Sequence, residues 1–149
     1  FMIKLEMGYP DFESQVNILR DRQTANPIDE TDEIIHRDTI LSMQEEVRGI
    51  HVKDSILEYV TALAMETRND EMIRLGVSPR GALAVVRMAK AHAYLDGRDF
   101  VMPEDVQQVF VDVCAHRLIM NPKARVSELS ASDVLKQVMN RTKSPDSGR

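Results

Sequence analysis

An arginine stands at the predicted start of a helix in the stretch LGVSPRGAL, residues 75–83. Ser78 is a typical N-cap residue, and Pro79 suits the first helical position because the N–H that it lacks would have no partner there. The opening amides of a helix carry the positive end of the helix dipole, so they attract anions. Arg80 would add a permanent cation with a forked set of donors at the same place. These residue types together could hold an anion.

Two glycines flank this arginine, Gly76 on one side and Gly81 on the other. Because glycine has no Cβ, it lets backbone or a ligand approach closely. The stretch is therefore open to two interpretations. It is either an anion site built from Gly76, Ser78, Pro79, Arg80 and Gly81, or an ordinary helix start whose arginine is solvated, and the spacing alone does not decide between them.

Other reactive residues fit metal binding or catalysis poorly. Cys114 and His116 are two positions apart, and on a helix their side chains would point about 200° apart, so they cannot readily share one ion. Adjacent acids such as Glu45 and Glu46 also diverge on a helix, and no base or nucleophile accompanies them. The chain has neither a phosphate-binding GxxxxGK[ST] loop nor a nucleophile elbow. We therefore expect no metal site and no complete catalytic centre in this chain.

The composition indicates one soluble domain without a nucleic-acid surface. A chain of 149 residues can bury most of its apolar surface in one compact domain. The net charge is -5, and residues 1–35 hold 3 basic and 8 acidic side chains while the remainder is balanced. A nucleic-acid partner would favour a basic patch, so none is expected. A single cysteine, no membrane-span-length apolar stretch and no signal peptide favour a cytoplasmic protein.

The first nine residues predict a short strand followed by a hinge. Phe1, Ile3 and Leu5 alternate with other side chains, and Gly8 and Pro10 then turn the chain. A single strand cannot satisfy its backbone groups without a sheet beside it. We therefore expect this strand to belong to a larger protein.

From Pro10 onward the apolar spacing is helical, which predicts an all-α bundle. The expected segments are a helix from Pro10 that carries Phe12, a polar loop over 21–33, a helix capped by Asp38, a helix from Lys53 or Asp54 with a Ser55–Glu58 capping box, a central helix from Ser78 to Gly97, a helix from near Pro103 and a last helix near Ser132. His51-Val52 and Phe100-Val101 could make a small strand contact. We divide the chain into residues 1–9 (strand and hinge), 10–125 (helical domain), 126–141 (an additional helix) and 142–149 (a disordered tail).

Four separated segments resemble the carboxy-terminal part of MoxR-family AAA+ ATPases. These are GYPDFESQVNIL, the HV before a helix, LGVSPRGALAVVRMAKAHAYLDGRDFVMPEDV, and HRL. They follow one another in the family's order and with its intervals, over residues 1–125. The resemblance implies an all-helical AAA+ lid domain that follows the last strand of an ATPase core.

The resemblance also implies a role for Arg80. It corresponds to the sensor 2 arginine of the third lid helix, which in this family reaches the terminal phosphate of ATP bound with Mg²⁺ to the core. Gly76, Ser78, Pro79 and Gly81 would complete the nucleotide-facing stretch. The Walker motifs of such proteins lie upstream, so this chain alone is not expected to hydrolyse ATP or to hold it tightly. The implied function is ATP-driven remodelling or maturation of partner proteins, often with von Willebrand factor A domains, by a hexamer.

The alternative is a freestanding helical interaction module without nucleotide, in which Arg80 is a charge at the rim of a groove. Met43, Met65, Met72 and Met88 would suit a groove that takes a partner helix. One position departs from the family pattern, because Met102 stands where a capping Thr or Ser often precedes the proline. This predicts the loss of a cap worth about 1 kcal/mol.

Overall fold

The computed structural model of the chain describes residues 1–23 and 26–145. Within these ranges it is mostly helical, as the sequence predicts. The elements are α1 (Phe12–Asp21), α2 (Arg37–Gly49), α3 (Asp54–Asn69), β1 (Ile73–Leu75), α4 (Pro79–Leu95), α5 (Pro103–Cys114), β2 (Ile119–Met120), α6 (Pro122–Val126) and α7 (Ala131–Arg141), with 3-10 turns at Pro27–Glu30 and Ala115–Arg117.

The chain divides into two compact units. One unit is Leu5–Met43, and the other joins Phe1–Lys4 to the chain from Gln44 onward. In the smaller unit, Asp11 caps α1 by accepting a hydrogen bond from the Ser14 N–H at 2.8 Å. Neither α1 nor α2 has a buried residue, so the hydrophobic core belongs to the larger unit.

The core lies among α3, α4, α5 and α7, and α4 and α5 make the most extensive contact. α4 buries a stripe of small residues, which lets neighbouring helices approach closely. Its position between α3 and α5 agrees with the prediction of a central helix. The largest fully buried side chains of the core include Leu63, Val77, Val85, Val106, Phe110, Val113, Leu135 and Val138.

The segment between α4 and α5 contains a glycine turn and then a β-bridge to the residue ahead of α3. Gly97 adopts a φ of 73°, a left-handed conformation that suits glycine, and its N–H donates to the Tyr94 carbonyl at 2.9 Å. His51 and Phe100 then form a parallel bridge, with the Val101 N–H donating to the His51 carbonyl at 2.9 Å. The small strand contact predicted from the sequence is confirmed.

The predicted strand over residues 1–5 is not formed in this structure. A strand needs a neighbouring strand, and this segment instead donates the Lys4 N–H to the Asp112 carbonyl at 3.1 Å. The sheet lies elsewhere: β1 and β2 pair antiparallel, with Ile73 opposite Met120 and Leu75 opposite Ile119. This pair leaves no clear pattern in the sequence because each strand has only two or three residues.

One predicted helix start is wrong by a residue or two, and another start is confirmed without its predicted capping box. α2 begins one residue before Asp38, which therefore lies in the first turn and faces the helix dipole instead of capping the helix. α3 begins directly after Lys53, so Ser55 and Glu58 form no capping box. α3 thus starts at Asp54, as predicted, and the bridge at His51 fixes the backbone just ahead of it.

The last helix, predicted near Ser132, is capped by Ser130. The Ser130 Oγ accepts from the Asp133 N–H at 3.1 Å, and the Asp133 carboxylate accepts from the Ser130 N–H at 3.1 Å. α7 ends at Arg141, and its buried face joins the core. Of the tail predicted to be disordered, 142–145 are described, and the Thr142 N–H donates to the Val138 carbonyl at 3.1 Å. Residues 146–149 lie outside the described part of the chain.

None of the described helices is both long enough and apolar enough to cross a membrane.

Candidate functional site

The first turn of α4 has the cap that the sequence predicts. The Ser78 Oγ accepts from the Gly81 N–H at 3.2 Å, and the Ser78 carbonyl accepts from the Ala82 N–H at 3.0 Å. Pro79 has no N–H to offer. The Arg80 N–H is therefore the backbone donor of this turn that neither the cap nor the helix uses.

The Arg80 side chain is exposed at the second position of α4. It makes no hydrogen bond or ion pair with any residue that the structure describes. The stretch 75–83 contains no Asp or Glu that could neutralise it. The helix start thus presents one free amide and an uncompensated guanidinium, and both attract anions.

α3 fixes the residue that precedes this cap. The Val77 N–H donates to the Thr67 hydroxyl at 2.9 Å, and the Val77 carbonyl accepts from the Arg68 Nε at 2.9 Å. Thr67 is fully buried, and its hydroxyl in turn donates to the Ala64 carbonyl at 2.7 Å. The Val77 side chain is also buried in the core. Both hydrogen-bonding groups of the Val77 backbone and its side chain are therefore fixed just ahead of α4.

Gly76 and Gly81 serve packing in this structure. A Cβ at Gly76 would lie 2.7 Å from the Thr67 carbonyl oxygen, and one at Gly81 would lie 2.9 Å from a Val77 methyl. Both distances are shorter than van der Waals contact. The close approach predicted for these glycines is therefore made by the protein itself, and their roles in nucleotide binding stay predictions.

We expect Gly76→Ala to lower the free energy of unfolding by about 1 to 3 kcal/mol, because the new methyl overlaps backbone and forces a shift. Urea unfolding followed by circular dichroism measures the change. Gly49→Ala is the matched control, since nothing lies within 4 Å of a Cβ at Gly49, and it should be neutral or slightly stabilising. Equal stability of the two variants would contradict the packing role of Gly76.

A second polar cluster closes the turn between α4 and α5. The buried Asp105 accepts from Arg98 Nη2 at 2.6 Å, from Arg98 Nη1 at 2.7 Å and from the Met102 N–H at 2.7 Å. His92 Nδ1 lies 2.7 Å from Asp105 Oδ1, and Asp96 pairs with Arg98 at 3.0 Å. The bond from the Met102 N–H to Asp105 is the returning half of a capping box, which needs no hydroxyl at position 102.

This cluster is an ion-pair network that joins the end of α4 to the start of α5. Burial alone would raise the pKa of the Asp105 carboxyl, but hydrogen bonds from Arg98, Met102 and His92 outweigh burial and hold that pKa below its ordinary value. The hydrogen bond to Asp105 raises the pKa of Arg98 in turn. His92, Asp96 and Asp105 bring three ligand atoms within 4.8 Å of one another, but the Arg98 guanidinium already pairs with both carboxylates.

The remaining candidates do not come together. Cys114 is buried, and burial raises the pKa of its thiol to about 12, whereas His116 is exposed. Among the methionines proposed for a groove, Met88 packs on the core and Met43 belongs to the smaller unit, while Met65 is exposed. The first turn of α4 is therefore the site that the geometry supports best.

Comparisons with known proteins identify the domain. Residues 65–138 match the AAA lid domain family. An uncharacterized protein of Bacillus subtilis, YeaC, is 33% identical over 145 residues, which are 97% of this chain and 45% of YeaC. Chaperone MoxR1 of Mycobacterium tuberculosis is 29% identical over 148 residues, 93% of this chain and 39% of MoxR1.

A solved structure agrees with the family match. The crystal structure of a candidate ATPase from Cytophaga hutchinsonii has a TM-score of 0.84 at 26% identity, and the match covers 98% of this chain and 47% of that protein. The chain thus spans less than half the length of these relatives. The matched domain and the MoxR relatives together show that the chain belongs to the MoxR family of AAA+ ATPases, whose helical lid it contains.

Proposed function

We propose that the first turn of α4 contacts the terminal phosphate of a nucleotide bound to an AAA+ core, so that this lid responds to the state of that nucleotide. The proposal rests on the exposure of Arg80 and on its lack of a partner among the described residues. This arginine lies on a helix start that α3 and the core hold firmly. A solvated surface arginine needs no such anchoring, whereas a phosphate contact depends on position.

The residues of this turn fit a phosphate group and do not fit a magnesium ion. The free Arg80 amide and guanidinium are donors, which match phosphate oxygens. Mg²⁺ prefers carboxylates and water, and residues 75–83 contain no carboxylate. In the proposed complex the ion and most nucleotide contacts belong to the core, and the lid contributes Arg80.

A bound nucleotide would supply the anionic phosphate and the energy of its hydrolysis. Arg80 would donate charge-assisted hydrogen bonds to the terminal phosphate, and these bonds are lost when that phosphate leaves. Because Val77 connects the start of α4 to α3 and the core, a displacement of Arg80 would move the helical unit with it. The lid would thereby turn nucleotide state into motion.

The wider function is chaperone-like remodelling or maturation of partner proteins. One relative is named a chaperone, and the MoxR family supports assembly into a ring. The finer parts of the proposal are a hexamer and partners with von Willebrand factor A domains, which follow from the family resemblance alone, and a cytoplasmic location, which follows from the composition.

The experiment compares ATP and ADP affinities in a protein that joins this lid to its AAA+ core. Arg80→Ala should weaken ATP binding by about tenfold, the effect of one hydrogen bond to a charged group, and should leave ADP binding unchanged. Arg74→Ala is the matched control, because Arg74 is also exposed and has no partner in the described residues. If Arg80→Ala changed ATP and ADP affinity equally, the phosphate contact would be excluded.

A further inference from the structure

Arg117 joins three segments that are far apart in the sequence. Its Nε donates to the Val113 carbonyl at the end of α5, at 2.8 Å. Its Nη2 donates to the carbonyls of Phe1 and Met2, at 2.7 and 3.1 Å. One guanidinium therefore connects the beginning of the described chain to the end of α5.

The stem of the same side chain lies beside the first turn of α4. A Cβ added at Gly81 would lie 3.5 Å from the Arg117 Cδ, so the stem faces this glycine across the space that a methyl group would fill. Gly81 directly follows Arg80. The Arg117 stem thus lies next to the turn that carries Arg80, and its head bonds to the segment Phe1–Lys4.

A second hydrogen bond connects the opening segment to α5, from the Lys4 N–H to the Asp112 carbonyl at 3.1 Å. The segment Phe1–Lys4 belongs to the same compact unit as α4 and α5. It is not part of a strand, and these side-chain and backbone bonds contribute to holding it there.

We propose that Arg117 is a positioning residue that couples the first turn of α4 to the segment Phe1–Lys4. A displacement at Arg80 would pass through Gly81 to the Arg117 stem, and from the Arg117 head to the Phe1 and Met2 carbonyls. A forked guanidinium suits this role because it can hold several carbonyls in fixed directions. The coupling to nucleotide state rests on the proposed function of Arg80, whereas the connection of the three segments does not.

Hydrogen exchange of the 149-residue chain tests the connection without nucleotide. In Arg117→Ala, exchange of the Lys4 amide should quicken on the order of tenfold, while buried amides of α3 keep their rates. Arg141→Ala is the matched control, since Arg141 also bridges two segments, through Glu66 and Asp70, but lies away from the opening segment. Unchanged exchange at Lys4 in Arg117→Ala would overturn the connection.

Arg117→Lys guards against misfolding, because it keeps the stem beside Gly81 and the charge. It cannot reproduce the fork, so we expect the same faster exchange at Lys4 with the native circular dichroism spectrum. Exchange at the parent rate in this variant would mean that any cation suffices and would overturn the geometric role.

A double-mutant cycle in the protein that includes the core tests the coupling to Arg80. Arg117→Ala should lower kcat for ATP about 10- to 100-fold with little change in KM, since a small misplacement has that effect. In the Arg80→Ala background it should lower kcat no further. Additive losses would show that Arg117 does not act through Arg80. If Arg80→Ala alone left turnover unchanged, the proposed function would fail, and faster exchange at Lys4 would still support the connection.

Discussion

ATP turnover falls by roughly 30- to 800-fold when Arg80 is replaced by alanine in a protein that joins this lid to its AAA+ core. The expected loss corresponds to about 2 to 4 kcal/mol, the range for removing one preorganised donor from developing charge. The loss in kcat should exceed the loss in ATP affinity, because charge on the transferred phosphate is stabilised most in the transition state. Steady-state hydrolysis at matched assembly measures this change.

Arg80→Lys should be nearly as damaging as Arg80→Ala. An ammonium keeps the charge but cannot form the fork that matches phosphate oxygens. Arg74→Ala, which removes another exposed arginine of the same unit, should keep turnover within a few-fold of the parent. Unchanged turnover in both Arg80 variants would mean that Arg80 is an ordinary solvated side chain without a role in hydrolysis.

Asp105→Ala should destabilise the helical unit by about 3 kcal/mol. Removing one partner of a buried ion pair leaves an uncompensated charge, and the estimate lies at the lower end of the usual range because Arg98 keeps Asp96 at 3.0 Å. The substitution also takes the acceptor from the Met102 N–H. Urea unfolding measures the loss, and Asp96→Ala is the control, since that exposed pair should contribute less than about 1 kcal/mol.

The same carboxyl gives the stability of the domain a pH dependence of known sign. The pKa of Asp105 is lower in the folded chain than its ordinary value of 3.8. Its contribution is therefore complete above that value and is lost as the pH falls through the folded pKa. The difference in unfolding free energy between the parent and Asp105→Ala should be complete above pH 3.8 and should shrink as the pH is lowered below that value. A difference that stays constant with pH would contradict this account.

The parts of the site that the sequence predicts are those that depend on neighbouring residues. The residue types of Ser78 and Pro79 predict the start of α4, because an N-cap needs a side-chain oxygen and the next position tolerates a missing N–H. Gly97 likewise marks the end of α4 through its left-handed backbone. Arg80 was identifiable as an exposed first-turn cation for the same reason.

The residues that position Arg80 could not be predicted in this way. Thr67 and Arg68 lie on α3 and reach Val77 across a turn, and a threonine or arginine on a helix gives no sign of that contact. Arg117 bonds to Phe1 across almost the whole described chain. Among the sequence observations, only the HRL segment of the family resemblance includes Arg117, and that segment does not indicate what the side chain does.

Errors at the helix ends have a similar origin. The sequence offers several polar residues that can cap, and tertiary contacts choose among them. The bridge at His51 holds the backbone just before α3, and Ser55 and Glu58 form no capping box there. The sheet of β1 and β2 escaped prediction because two or three residues carry too short an alternation.

The central claim is tested most directly by a structure of this lid with its AAA+ core and a non-hydrolysable ATP analogue. We predict that an Arg80 guanidinium nitrogen lies about 2.7 to 2.9 Å from an oxygen of the terminal phosphate, as in charge-assisted hydrogen bonds, and that the contact is absent with ADP. An Arg80 side chain directed into solvent in both states, with the phosphate bound by other residues, would contradict the claim.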